Sequence, residues 1–88
     1  MKVYIKTYLD YMEKHHNLLP HELLCEIPGC GAPVIDIHHI EGKGTHPELI
    51  NEITNLVGLC RKCHEKYGQR KQYIEFLKSL KKWKNLEN

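Results

Sequence analysis

Two close pairs of cysteines, Cys25-x4-Cys30 and Cys60-x2-Cys63, constrain what this chain can fold into more than anything else in it. At 88 residues the chain makes one domain, and a hydrophobic core of that size is marginal without a staple. The opening "MKVYIKTYLDYMEKHH" carries charges throughout and has no continuous apolar run, so neither a secretory signal nor a membrane span is expected. A reducing cytoplasm is the expected setting, and there paired cysteines usually hold metal rather than form disulfides. Four thiolates close the tetrahedral shell of Zn²⁺, so Cys25, Cys30, Cys60 and Cys63 are expected to surround one structural ion. Two competing uses fit less of the sequence. A pair of disulfides needs an oxidising compartment. "CRKCH", residues 60–64, also matches covalent haem attachment with His64 as axial ligand, but that leaves Cys25 and Cys30 idle and requires export.

The net charge of +2 conceals an asymmetry. Residues 1–60 hold four Lys/Arg against eight Asp/Glu, whereas residues 61–88 hold nine against three. A basic final third suits an anionic partner such as nucleic acid, and it equally suits a solvated lysine-rich helix face.

Periodicity outlines the elements. Ile5, Leu9 and Met12, with Tyr4, Tyr8 and Tyr11 nearby, recur at helical spacing over 2–16. "CEIPGCGAP" is a turn, "VIDIHHI" a short β-branched strand, "EGKGTHP" a loop, and "PELINEI" one or two helical turns with Pro47 at the first position. "NLVGLC" reads as a second strand. A helix follows from about Arg61 to Tyr67, with Gly68 as its cap or bend. A last helix is expected over 69–86, with Tyr73, Phe76, Leu77, Leu80 and Trp83 as a core stripe and Lys71, Lys78, Lys81 and Lys82 largely elsewhere.

Of the seven histidines, His15, His16 and His21 suit surface or helix-end positions, and His46, near Lys43, reads as an ordinary loop residue. His38, His39, Asn55 and His64 form a pattern: two adjacent histidines on a strand, 15 intervening residues, the asparagine, 8 more, and a histidine at a helix start. With "DIHHI", "NLVGLC" and "CRKCH" in register with the cysteine pairs, residues 25–68 resemble the HNH endonucleases, in the variant whose cysteines hold a zinc. The resemblance implies an α+β fold, a ββα-metal (His-Me finger) core stapled by the four-cysteine zinc site. An N-terminal helix within 1–20 and a basic C-terminal helix within 69–88 would flank it in a single nuclease domain, 1–88.

It also implies roles. His38 and His64 become ligands of a catalytic divalent cation and His39 the general base, since a neutral imidazole takes protons well near pH 7. Asn55 becomes the residue that ties down the loop between the strands, or in some members a metal contact. Several relatives carry a further histidine where this chain has Gly68. The catalytic ion then has two imidazoles, with Asp36 either a third ligand or a solvated strand-end carboxylate. A ligand-poor, partly aqueous site favours Mg²⁺ or Mn²⁺. The expected substrate is DNA, cut or nicked by hydrolysis, with lysines and arginines after residue 60 on phosphates. The compact form is similar to phage and prophage enzymes acting in a bacterial cytoplasm. A homodimer stays open in this reading, and no membrane partner is expected. The alternative is a non-catalytic zinc-ribbon module that binds nucleic acid or protein, which explains the cysteines and the basic tail but leaves His38, His39 and Asn55 as coincidence.

Overall fold

The computed structural model describes residues 1–42, 44, 46–68 and 70–81. Among these, three helices surround a two-stranded antiparallel sheet: α1 (Val3–His16), β1 (Asp36–His39), β2 (Leu56–Leu59), α2 (Arg61–Tyr67) and α3 (Ile74–Ser79). Short 3₁₀ turns lie at Pro20–Glu22, Pro47–Leu49, Ile53–Asn55 and Lys71–Tyr73. This is the small α+β architecture expected from the sequence.

The strands pair over four residues, with Asp36 opposite Leu59, Ile37 opposite Gly58, His38 opposite Val57 and His39 opposite Leu56. Successive side chains on a strand point to opposite faces. Asp36, His38, Val57 and Leu59 therefore share one face, and Ile37, His39 and Leu56 share the other. Every residue of β2 is buried, which explains its unbroken apolar sequence. Val57 and Leu59 join a cluster with Cys25, Ile27, Ile40, Cys60, Cys63 and Leu77, while Leu56 packs with Tyr8, Tyr11, Met12 and Leu23 beneath α1. Gly58 is required where α1 crosses: a Cβ there would stand 2.5 Å from the Tyr8 hydroxyl.

The first cysteine pair sits on a tight knuckle. Gly29 and Gly31 adopt φ of 81° and 72°, a region costly for residues with a Cβ. The Cys30 amide turns back to the Ile27 carbonyl at 3.1 Å, and the Cys25 amide bonds the Ala32 carbonyl at 2.7 Å. The segment is then stitched to the sheet by Glu26 N–H to Gly58 C=O and Ile35 N–H to Leu59 C=O, each 2.9 Å.

Two side chains differ from the sequence expectation. Phe76 is exposed and only flanks Tyr67, with ring centroids 5.4 Å apart, while Leu77 is the fully buried member of that stripe. Adjacent helical residues diverge by about 100°, and α3 is too short to cover both. Lys81 is 2% exposed and ion-pairs with Glu26, so it does not belong to a solvated lysine face. Glu26 also accepts from the Tyr8 hydroxyl at 2.5 Å and the Gly58 amide at 2.7 Å, so its carboxylate joins α1, the knuckle, β2 and the end of α3. Burial, followed by the Glu26 charge, pushes the Tyr8 hydroxyl's pKa far above its ordinary value. The predicted helix over 69–86 is seen here as the Lys71–Tyr73 turn leading into α3; Lys43, Gln69, and residues 82–88 with Lys82 and Trp83, lie outside the described residues.

Candidate active site

The two cysteine pairs converge. One sulfur from each of Cys25, Cys30, Cys60 and Cys63 lies within 4.8 Å of all the others. Cys30 Sγ stands 3.7 Å from both Cys60 Sγ and Cys63 Sγ. Four thiolates at about 2.3 Å from one zinc ion have edges of roughly 3.8 Å, so the cage fits a tetrahedral ion. Cys60 caps α2, its sulfur accepting from the Cys63 amide at 3.4 Å. That bond pulls the Cys60 thiol down to about 7. Burial pushes the Cys25 and Cys63 thiols upward; a bound cation would reverse that penalty by stabilising thiolate.

Next to this cage, α2 turns His64 toward β1. Cys63 faces the sulfurs and His64, one residue on, faces the sheet. Nε2 of His64 and Nδ1 of His38 stand 3.2 Å apart, and the rings are 4.9 Å between centroids. Two nitrogens bound to one cation at about 2.1 Å are separated by roughly 3.0–3.4 Å, so this spacing suits a shared ion. His38 is buried, and its desolvation, with the nearby His64 and His39, pushes its pKa down to about 4. It is neutral at pH 7, as a metal ligand must be.

Asp36, on the same strand face as His38, lies on the other side of the His64 ring. Its Oδ2 is 3.0 Å from His64 Nδ1 and 3.1 Å from Arg61 Nε. A carboxylate on Nδ1 places the ring proton there and turns the lone pair of Nε2 toward His38.

His39 points to the opposite face of the sheet. Its Nε2 lies 2.9 Å from the Ile50 carbonyl oxygen, and its ring packs edge-on against Tyr4 of α1 with centroids 4.3 Å apart. A carbonyl only accepts, so Nε2 carries the proton and Nδ1 is the basic nitrogen. The Ile50 carbonyl is itself held by the loop between the strands. Asn55 Oδ1 accepts from the Glu41 amide at 2.9 Å, and Asn55 Nδ2 donates to the Glu41 and Leu49 carbonyls at 3.2 and 3.3 Å. The asparagine thus clamps both ends of the loop and fixes the residue beside Ile50.

Gly68 ends α2, its amide donating to the His64 carbonyl at 2.8 Å. A Cβ at this position would approach His64 Cδ2 to 2.5 Å and Nε2 to 3.1 Å. With His64 in this orientation, the position tolerates no side chain.

The structure thus brings His38, His64 and Asp36 together on one face of β1, His39 on the other, Asn55 beneath the loop, and the four cysteines directly behind His64. Three partners escaped the sequence: the Ile50 carbonyl and Tyr4, which hold His39, and Arg61, which holds Asp36. A backbone carbonyl leaves no mark in a sequence. Tyr4 is marked only as one member of the Tyr4–Tyr8–Tyr11 face of α1, and Arg61 only as the residue after a cysteine.

A family model for HNH endonuclease matches residues 23–70. The mitochondrial DNA mismatch repair protein mutS homolog of Sarcophyton glaucum is 39% identical over 66 residues, covering 70% of this chain. The matching stretch is 6% of that protein's length. No solved structure matches the chain significantly.

Proposed function

The chain belongs to the HNH endonuclease family, and from that premise we propose that it is a metal-dependent DNA endonuclease that hydrolyses phosphodiester bonds. His39 is the general base in this reading, and His38 and His64 hold one Mg²⁺ or Mn²⁺ ion. The observation that carries it is the 3.2 Å convergence of His38 Nδ1 and His64 Nε2 beside a neighbour whose tautomer is set by a backbone carbonyl. The name of the Sarcophyton glaucum relative, a DNA mismatch repair protein, supports DNA as the polymer.

The residues divide the work. His39 Nδ1 takes the proton of the attacking water, while the Ile50 carbonyl keeps the ring from turning and stabilises the imidazolium that results. Asp36 and Arg61 orient His64 rather than meet the substrate. Asn55 positions the loop that holds His39. When bound, a divalent cation at His38 and His64 supplies positive charge for the scissile phosphate and the leaving oxygen. A zinc ion in the cysteine cage would stiffen the turn from which His64 projects.

Plasmid nicking with Mg²⁺ or Mn²⁺, with and without chelator, tests the assignment, using His39→Ala beside the native chain. The expected result is metal-dependent nicking that the variant loses while it keeps its fold, zinc content and DNA affinity. A native protein that binds DNA but nicks none, with either ion, would favour the non-catalytic zinc module.

A further inference from the structure

A cleft of about 350 Å³ opens beside His38 and His39, and its walls are mostly apolar: Tyr67, Ile74 and the buried Leu77. Exposed Arg70 and Lys71 also line it. An apolar wall is a poor surface for a sugar–phosphate backbone, yet it adjoins the residues that would act on one. A nucleobase presents what such a wall accepts: a flat, weakly hydrated face with phosphates at either side.

The charges point the same way. Several basic residues after residue 60 are already committed: Arg61 to Asp36, Lys78 to Glu41, Lys81 to Glu26. Among the described residues, Arg70 and Lys71 make no ion pair. Lys62 and Lys66 of α2 are likewise without an ion pair but lie away from this cleft, so Arg70 and Lys71 are the unpaired cations placed where phosphates flanking an inserted base would pass.

We propose that this cleft takes the base of one unpaired nucleotide next to the cleaved phosphate, so that the preferred substrate is DNA with a locally unstacked strand rather than uniform duplex. The proposal rests on the nuclease reading and adds its substrate class. Extruding a base from a perfect helix costs unstacking and unpairing energy, and a bulged, mismatched or single-stranded nucleotide has already lost those contacts. Tyr67 and Ile74 then read the base by contact with its face, without choosing among bases.

The test uses end-labelled oligonucleotides in three forms of one sequence: perfect duplex, duplex with one bulged nucleotide, and single strand. Cleavage with Mn²⁺ is expected to be roughly tenfold faster when a nucleotide is unpaired, the size of effect that one stacked base commands, with cuts mapping next to the bulge. Ile74→Trp, which fills the cleft, and Tyr67→Ala should each shrink that preference while duplex cleavage persists. A second arm needs no turnover. His39→Ala, with 2-aminopurine at the bulge, should change the probe's fluorescence on binding, and His39→Ala/Ile74→Trp should not. Equal cutting of all three forms, or a probe that responds alike with the cleft filled, overturns the proposal. If nothing is cut yet the probe responds as expected, the nuclease reading has failed and the base site stands.

Discussion

Asn55 and Glu41 hold each other by a reciprocal pair of hydrogen bonds, backbone amide to side-chain oxygen at 2.9 Å and side-chain amide to backbone carbonyl at 3.2 Å. The pair closes the loop between the strands like a clasp, joining residues 14 positions apart, and the remaining Asn55 bond, to the Leu49 carbonyl, lies one residue from the Ile50 carbonyl that holds His39. Asn55→Ala should slow nicking by about 10- to 100-fold, as removal of outer supports commonly does. It should also cost about 1–3 kcal/mol of stability, because buried backbone groups lose their partner. Rates and urea midpoints measured on the same preparation separate the two effects. A variant that melts early but nicks normally once folded would show that the clasp does not reach His39.

Lys81 should matter for folding and not for DNA. Removing one member of a buried ion pair leaves the other charged and unsolvated, so Lys81→Met should lose about 3–5 kcal/mol, and Lys81→Met/Glu26→Gln should recover part of it. The salt dependence of DNA binding should not change. Lys62→Ala, by contrast, removes an exposed cation of α2, and each cation withdrawn from a phosphate lowers the slope of log affinity against log salt by about 0.9. Fluorescence anisotropy across a salt series distinguishes these outcomes.

Cys60→Ser should unfold the domain as a whole. Cys60 contributes a sulfur to the cage and caps α2 through the Cys63 amide; serine can still accept that amide, so the substitution isolates the loss of the fourth thiolate from an ion the cage would hold. Circular dichroism and zinc content should fall in parallel, and a strong chelator should do the same to the native chain. A folded, zinc-poor protein would mean that the cage is not structural.

Acid should weaken the protein through His38. Its pKa is depressed to about 4 in the fold, against an ordinary 6.5. Between those values the unfolded chain binds the proton and the native chain does not, so stability is full above about pH 6.5 and declines as the pH falls toward 4. The loss is on the order of 3 kcal/mol across that window. Urea melts at pH 7.5, 6 and 5 in excess zinc should show a steeper decline for the native chain than for His38→Gln; equal slopes would assign the acid sensitivity elsewhere.

The candidate constellation of His38, His39, Asn55 and His64 was legible because the proposed chemistry limits residue type and its geometry limits spacing. Adjacent histidines on a strand must face opposite ways, and Cys63 and His64 must diverge on a helix turn; both relationships are found. The supports around that constellation were less legible. His39 is held by a carbonyl, which any residue at position 50 supplies. Lys81 meets Glu26 across 55 positions of sequence, and helical periodicity in the last element cannot see a partner so distant. Phe76 illustrates the same limit: an apolar stripe names a face, but the amount of that face a neighbour covers depends on how long the helix is and where it lands. Gly68 was visible as the cap or bend of α2. The closeness of both the ring and the carbonyl of His64 to that position required coordinates.

Leu56 and Val57 are consecutive, yet one belongs to the cluster beneath α1 and the other to the cluster around the cysteines. A strand that serves as the common wall of two apolar compartments cannot surrender one and retain the other. Slow amide exchange should therefore spread evenly across Leu56–Leu59 and its neighbours on both sides, with α1 opening in step with the cysteine cage instead of peeling away first.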